Sequence, residues 1–305
     1  MFKFFISRLI QTVIILLTLL SIMFFTLRLL PGSPFDSETA ISSEVRAHLN
    51  SRYHLDQPLI DQYFLYLRSL GKGELGVSYH YQDQNVGELI TEALPVTLKL
   101  GVLSLLISFL WGIPLGLIAA RFHNHWQDRV AMLFAVVGES MPTFLLAPIL
   151  ILIFSFYLDI LPPALWESPK YYILPVISLG IRPAAMIARL IRSSALDIMS
   201  SDFVRTARSK GASENRILFH HVLRNCLIPI LGISGTLVAQ VLSGSFVVEL
   251  LFAVPGLGHY LIESVIDRDY PLVMSLSLWY AILLSTSQFI MDVLSGLVDP
   301  RVRLS

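Results

Sequence analysis

Four ionisable side chains fall inside otherwise apolar stretches: Glu139, Arg182, Glu249 and Asp292. A charge carried into hydrocarbon is costly unless it is paired or meets water, so such residues are candidates for function. Two readings stand for the first two: Arg182 pairs with Glu139 and fixes helix packing, or one of them meets a solute. Glu249 follows Ser243 and Ser245 and precedes a Pro255-Gly256 turn. If that stretch lines a pathway, Ser243, Ser245 and Glu249 face it, with Glu139 as a further candidate. Asp292 precedes Asp299-Pro300-Arg301 and can simply cap or snorkel.

Other chemistries lack their residues. His220 and His221 are adjacent, so on a helix they point roughly 100° apart and do not converge on one ion. No Cys or carboxylate stands at ligand spacing, and the single cysteine, Cys226, excludes a multi-cysteine metal site. His123 and His125 read as solvated turn residues. Gly71-Lys72-Gly73 is not a phosphate-binding loop, and neither His-Glu-x-x-His nor Gly-x-Ser-x-Gly occurs. No catalytic residue, metal or bound cofactor is therefore expected, and any ATP must be used by another subunit.

A different kind of signal lies at 188–226. Ser200-Ser201-Asp202 offers a helix N-cap. Phe203, Val204 and Ala207 recur at helical spacing, with Arg205, Arg208 and Lys210 on other faces. Gly211 follows as the residue just past a helix end, where positive φ is needed. Ser213 can cap a second helix carrying Arg216, Ile217, His220, His221 and Arg224. Two readings stand for this short amphipathic helix. It docks a partner that covers its apolar edge, or it lies on a surface of anionic lipid.

The elements that position these residues are membrane spans. The chain has 305 residues, of which 54% are hydrophobic and only 14% charged. That is too few charges to cover a soluble surface, and it excludes an ordinary soluble enzyme, a disordered chain and a nucleic-acid binder. About 20 apolar residues cross a bilayer as a helix. Six stretches qualify: Leu9–Leu30, Pro95–Ala120, Val130–Leu158, Tyr172–Ala188, Leu227–Leu250 and Leu272–Val298. The first reads as a retained signal-anchor helix. The third is long enough to tilt or to break near Pro142 and Pro148.

Six spans place both termini on one side, and Lys/Arg excess marks the cytoplasmic face. Segments 1–8, 121–129, 189–226 and 299–305 hold 13 Lys/Arg against 5 Asp/Glu, and the remainder holds 9 against 17. The zero net charge is thus a basic face and an acidic one, and both termini are assigned to the cytoplasm. Pro31–Leu94 then lies outside. Ser42-Ser43-Glu44 and Gln57-Pro58 read as helix starts, Pro58 as a first helical residue. Gly71, Gly73 and Gly76 punctuate a turn, and Val77–Tyr81 reads as a short strand. About 60 residues form a marginal core, so this piece should rest on the membrane part. It is either a docking surface for an extracytoplasmic partner or a structural cap.

Asp202-Phe203-Val204-Arg205-Thr206-Ala207-Arg208-Ser209-Lys210-Gly211, then His221-Val222-Leu223-Arg224-Asn225 and Pro229, resembles a known signature. It is the cytoplasmic loop of binding-protein-dependent ABC importer permeases. Ala207, Gly211 and Leu223 match the general motif. Arg205, Thr206, His221 and Arg224 depart from it in the manner of the dipeptide/oligopeptide/nickel branch. The resemblance covers the whole chain. Leu29 to Phe35 is similar to the end of that branch's first span. Tyr53 to Pro58, Gln62-Tyr63 and Gly73 to Ser78 are similar to its outer segment. Val254 to Gly258 and Asp267 to Pro271 are similar to its stretch between the last two spans. The chain looks most like the B-type permease subunit of oligopeptide systems.

The resemblance implies an all-α integral membrane protein of the type I ABC importer arrangement. It would have an anchor helix at 1–30, an extracytoplasmic segment at 31–94, and a permease core at 95–305 with a coupling loop at 196–226. It implies a second homologous permease subunit, two ATPase subunits that use ATP and Mg, a solute-binding protein and a peptide substrate, in the bacterial inner membrane. Phe203, Val204, Arg205, Thr206, Ala207, Arg208, Lys210 and Gly211 would contact an ATPase subunit. The alternatives are import of nickel or another small solute, or a secondary transporter, which would usually show internal repeats.

Overall fold

The computed structural model describes residues 2–31, 35, 44, 48, 51–81 and 84–298, with side chains from 10 onward except at 292 and 294–298. The Ser42-Ser43 helix start, the side chain of Asp292 and the basic residues Arg301 and Arg303 lie outside the described residues. Among the described residues the chain is helical. In order come α1 (Phe2–Leu29), α2 (Leu59–Gly71), α3 (Val86–Arg121), α4 (Trp126–Ser140), α5 (Thr143–Ile151), α6 (Pro169–Met199), α7 (Asp202–Ser209), α8 (Glu214–Leu251), α9 (Leu257–Ile266) and α10 (Tyr270–Val298).

Among the described residues five helices are long and apolar enough to span, and the pair α4 and Thr143–Tyr157, bent by 109°, makes a sixth if it crosses as one broken span rather than returning as a re-entrant loop. The break falls at Met141-Pro142, where Pro142 precedes α5 in extended backbone. Pro148 sits within α5 without ending it. The helix then loosens into a π-turn at Leu152–Tyr157. The fourth and fifth spans reach well past their apolar cores, to Met199 and back to Glu214.

The chain divides into two compact units. The first comprises residues 1–96 and 255–285. Here α2 lies against the C-terminal half of α1. The Ser21 and Tyr63 hydroxyls share a hydrogen bond of 2.6 Å, and Arg28 Nε donates to Gln62 Oε1 at 2.7 Å. The Arg28 guanidinium also stacks over Phe24, 3.8 Å from the ring centre, an arrangement worth more where water is excluded. Within the 31–94 segment, α2 thus rests on a span. Pro58 is one residue earlier in the helix than the sequence suggested, at the N-cap of α2.

Gly73 and Gly76 have φ of 81° and 87°, as a turn demands. The expected strand at Val77–Tyr81 is instead a single antiparallel bridge, Val77 to Asn85. No second ladder residue forms because the segment turns onto Asp269. That carboxylate is fully buried. It accepts from the Ser78 hydroxyl, from Tyr79 N at 3.1 Å, from His80 N at 3.3 Å and from Leu272 N at 3.2 Å. Tyr81 Oη adds a bond to Glu263 Oε2 at 2.8 Å. Burial and that bond both push the Tyr81 phenol up from its ordinary range.

The second unit comprises residues 97–254 and 286–305, with α6 at its centre against α4, α5 and α8. Lipid tails are as apolar as leucine, so membrane helices associate by close packing rather than by the hydrophobic effect. The sequence supplies the means along one face of α3: Ser104, Ser108, Gly112, Gly116 and Ala120, every fourth residue. A Cβ on Gly112 would stand 2.7 Å from Ala184 O, and one on Gly116 2.5 Å from Ala188 O. Gly180 closes in from α6, where its carbonyl accepts the Ser108 hydroxyl at 2.8 Å. Below this seam a buried cluster of Leu117, Ile187, Ile191, Ile217, Val222 and Cys226 carries the packing toward α7.

Candidate functional site

α7 is held by its neighbours on both sides. Ser201 occupies the N-cap, but its hydroxyl donates back to Ile198 O at 2.6 Å rather than accepting from the first turn. The expected side-chain cap does not form, and the helix begins with its ordinary first backbone bond, Arg205 N donating to Ser201 O at 3.2 Å. The C-terminus closes in a Schellman motif. Ala212 N donates to Ala207 O at 3.1 Å, and Gly211 N to Arg208 O at 3.0 Å, with Gly211 at φ 80°. Ser213 then caps α8 by accepting from Arg216 N at 3.4 Å, as the sequence predicts.

The two apolar residues of α7 part company. Val204 is 0% exposed and belongs to the unit's core, so it anchors the helix and does not meet a partner. Phe203 is 49% exposed. The cations divide as well. Arg208 forms a fork on Glu214, at 2.7 and 3.1 Å, bracing the turn. The Arg208 guanidinium holds the Glu214 carboxyl below its ordinary range. Arg205 reaches only its helix neighbour Asp202, at 3.7 Å. Lys210 is exposed, with no carboxylate beside it among the described residues. The Thr206 hydroxyl is taken by Asp202 O at 2.9 Å. Phe203, Arg205 and Lys210 are what α7 presents outward.

At the end of α3 the turn to α4 carries a buried carboxylate, Asp128. Arg192 of α6 forks onto it at 2.6 and 2.8 Å, and Asn124 N donates to it at 2.9 Å. His123 is exposed, as the sequence suggests, but it also touches this cluster: its Nδ1 lies 3.2 Å from Arg192 Nη2 and 3.4 Å from Asp128.

The intramembrane candidates separate. Glu139 pairs with Arg189, not with Arg182. Arg189 lies two helical turns past Arg182, level with the end of α4. Ser245 is buried and donates to Leu242 O at 2.8 Å, and Glu249 is 0% exposed. Neither is among the residues that line the cavity beside Ser243, although the sequence grouped all three. That cavity, of about 320 Å³, opens at the Pro142 break, lined by Thr143, Arg182, Gln240, Ser243 and Val247 among others. Residues 240, 243, 244 and 247 share one helix face, whereas 245 points elsewhere. Gln240 was missed, and that spacing was the signal for it. Among the described residues no group of three His, Cys, Asp or Glu is placed to hold a metal.

Five or six candidate spans among the described residues, with a short helix held at the turn between two of them, define a polytopic membrane component. The comparisons supply the family. The description "Binding-protein-dependent transport system inner membrane component" matches residues 112–304, and its N-terminal counterpart matches residues 1–101. The chain belongs to this family. It is a multi-pass membrane permease subunit of an ABC importer, which works with ATPase and binding-protein partners. ATP is hydrolysed on the separate ATPase subunits.

Among its relatives, the oligopeptide transport system permease protein OppB of Haemophilus influenzae is 41% identical. That alignment covers 99% of this chain and 100% of the relative. The dipeptide transport system permease protein DppB of Bacillus subtilis is 40% identical, over 95% and 94% of the two chains. OppB of Escherichia coli K12 is 37% identical, over 99% and 100%. The methionine ABC transporter MetNI, in an inward-facing form, matches in structure at a TM-score of 0.60 and 18% identity, covering 69% of this chain and 96% of that one. An amino acid ABC transporter matches at 0.54 and 21%, covering 68% and 94%. These two likenesses concern the fold.

Proposed function

We propose that this chain is one of two similar permease subunits of a peptide importer, taking oligopeptides or dipeptides inward from a solute-binding protein. The observation that carries the reading is α7: a helix pinned from behind by Val204 and closed by the Gly211 turn, presenting Phe203 with Arg205 and Lys210. Such a helix is a rigid lever. Phe203 fills an apolar groove of an ATPase subunit, and the two cations meet acids around it. Val204, Ala207, Arg208 and Gly211 keep its shape, and Thr206 bonds within it.

The peptide substrate is supported by the relatives, whose names are those of oligopeptide and dipeptide permeases along the full length of the chain. Two ATPase subunits bind ATP and Mg and close against each other, and α7 passes that movement to the spans. The Lys/Arg distribution supports cytoplasmic termini and a cytoplasmic α7. The outer segment then faces the binding protein.

The test is to purify the chain with its companion permease, ATPases and binding protein, and to follow ATP hydrolysis in vesicles. Peptides loaded on the binding protein should raise the rate severalfold. Stimulation by nickel chelates and not by peptides would replace this reading.

A further inference from the structure

The cavity at the Pro142 break has a chemistry of its own. Arg182 sits 13 residues into α6, about 20 Å along the helix at 1.5 Å per residue. That is near the middle of a membrane crossing, where a lone cation is costly and is retained for a partner or a solute. Glu139, the carboxylate the sequence offered it, is committed to Arg189. Among the described residues Arg182 has no carboxylate within salt-bridge distance, and its side chain lines the cavity. Gln240 lines the same cavity. Its Nε2 reaches Met186 Sδ at 3.9 Å, while its Oε1 is buried with no hydrogen-bond partner among the described residues. The Ser243 hydroxyl, on the same face, donates to Gln240 O at 3.2 Å and keeps a lone pair for a donor.

The cavity therefore offers a planar, permanently charged donor fork and an acceptor left waiting. A guanidinium matches a carboxylate in two parallel bonds, and a buried carbonyl without a donor is a cost that an incoming N–H removes. Carboxylate and amide N–H occur together, a few ångströms apart, at the C-terminal end of every unmodified peptide that does not end in proline. The start of α5 adds its free backbone N–H groups on the side of Thr143.

We propose that this cavity is a subsite for the C-terminal carboxylate of the transported peptide. Arg182 grips the carboxylate, and Gln240 Oε1 accepts the last amide N–H. The subsite rests on the peptide-importer reading and specifies what part of the peptide the membrane subunit recognises. Side chains of the peptide remain unread at this point, as suits a carrier of many sequences.

The experiment uses the assembled importer in vesicles and one labelled pentapeptide in two forms, with a free C-terminal carboxylate or a C-terminal amide. Both are presented already bound to the binding protein, so the discrimination read is that of the membrane subunits. The importer should move the acid about tenfold faster than the amide, the scale of a charge-assisted bond. In Arg182→Gln the two rates should come within about twofold of each other, and Gln240→Leu should give a ratio in between. Arg182→Lys keeps the charge but loses the fork, and should lose at least about half of the preference. It stands in if the Gln variant fails to reach the membrane.

An importer that moves both forms alike overturns the subsite while leaving peptide import intact. So does an Arg182→Gln variant that keeps the preference. Loss of the companion permease on purification of Arg182→Gln assigns the cation to a subunit contact and overturns it too. An importer that moves neither form, but moves another solute, removes the peptide reading itself and the subsite with it.

Discussion

Asp269 shows what one buried carboxylate can hold. It has no cation beside it in the hydrogen-bond pattern; three backbone N–H groups and a hydroxyl do the work. Ser78 and Asp269 come from two sequence stretches, 73–78 and 267–271, that were singled out separately as similar to the peptide-importer branch. Their meeting is the physical reason both stretches have the residues they have. Asp269→Asn keeps the shape but turns a donor toward N–H groups that need an acceptor. We expect a loss of about 1–3 kcal/mol, read as a lower Tm of the detergent-purified protein. An unchanged Tm would mean the turn is held by Tyr81 and Glu263 instead. Arg208 makes a related point: basic residues on α7 looked equivalent, but Arg208 is spent on Glu214, leaving Arg205 and Lys210 outward.

At the scale of elements, α7 depends on one glycine for conformation and α3 on two for space. A Cβ on Gly211 meets nothing within 4 Å, so its requirement is the φ of 80° alone. Gly211→Val should therefore strain or unwind the turn by about 1–3 kcal/mol and abolish uptake, with the protein still inserted in the membrane. Gly211→Asn, a residue that tolerates this region, should retain most uptake. Equal loss in both variants would point to a contact at position 211 rather than to its conformation. Gly116 is the opposite case: a Cβ there lies 2.5 Å from Ala188 O, so even Gly116→Ala must push α3 from α6. Its expected signature is reduced thermal stability and reduced yield, with Gly232→Ala, where nothing lies within 4 Å, as the silent control. The seam at Ser104, Ser108, Gly112, Gly116 and Ala120 follows a four-residue spacing, but only the structure shows that α6 is the helix packed on it. The π-turn at the start of α8 was not legible, because it follows from how Ile217 and Val222 seat in the core rather than from local propensity.

For the whole molecule, composition and apolar length were enough to place five of the six expected spans on long apolar helices, because a bilayer imposes a length that sequence must meet, while the third falls on the helix pair bent at Met141-Pro142. The site was legible only in part. Residue type pointed to Arg182, Ser243 and the 202–211 helix. It could not say that Arg189 would take Glu139, or that Ser245 and Glu249 would be buried within the chain while Ser243 lines a cavity, since those depend on how the helices are rotated against one another. Orientation is the property that composition addresses most directly, through the excess of Lys/Arg in 1–8, 121–129, 189–226 and 299–305. It makes opposite demands on two exposed lysines, Lys72 after α2 and Lys210 after α7. In a background with Cys226 replaced by Ala, Lys72→Cys should react with a membrane-impermeant thiol reagent on intact spheroplasts, and Lys210→Cys only after the membrane is opened. Both sites lie beyond helix ends and carry exposed side chains, so neither needs local unfolding to react. The reverse pattern would put α7 outside, where no ATPase could reach it, and the lever assigned to α7 would have to be abandoned with the orientation.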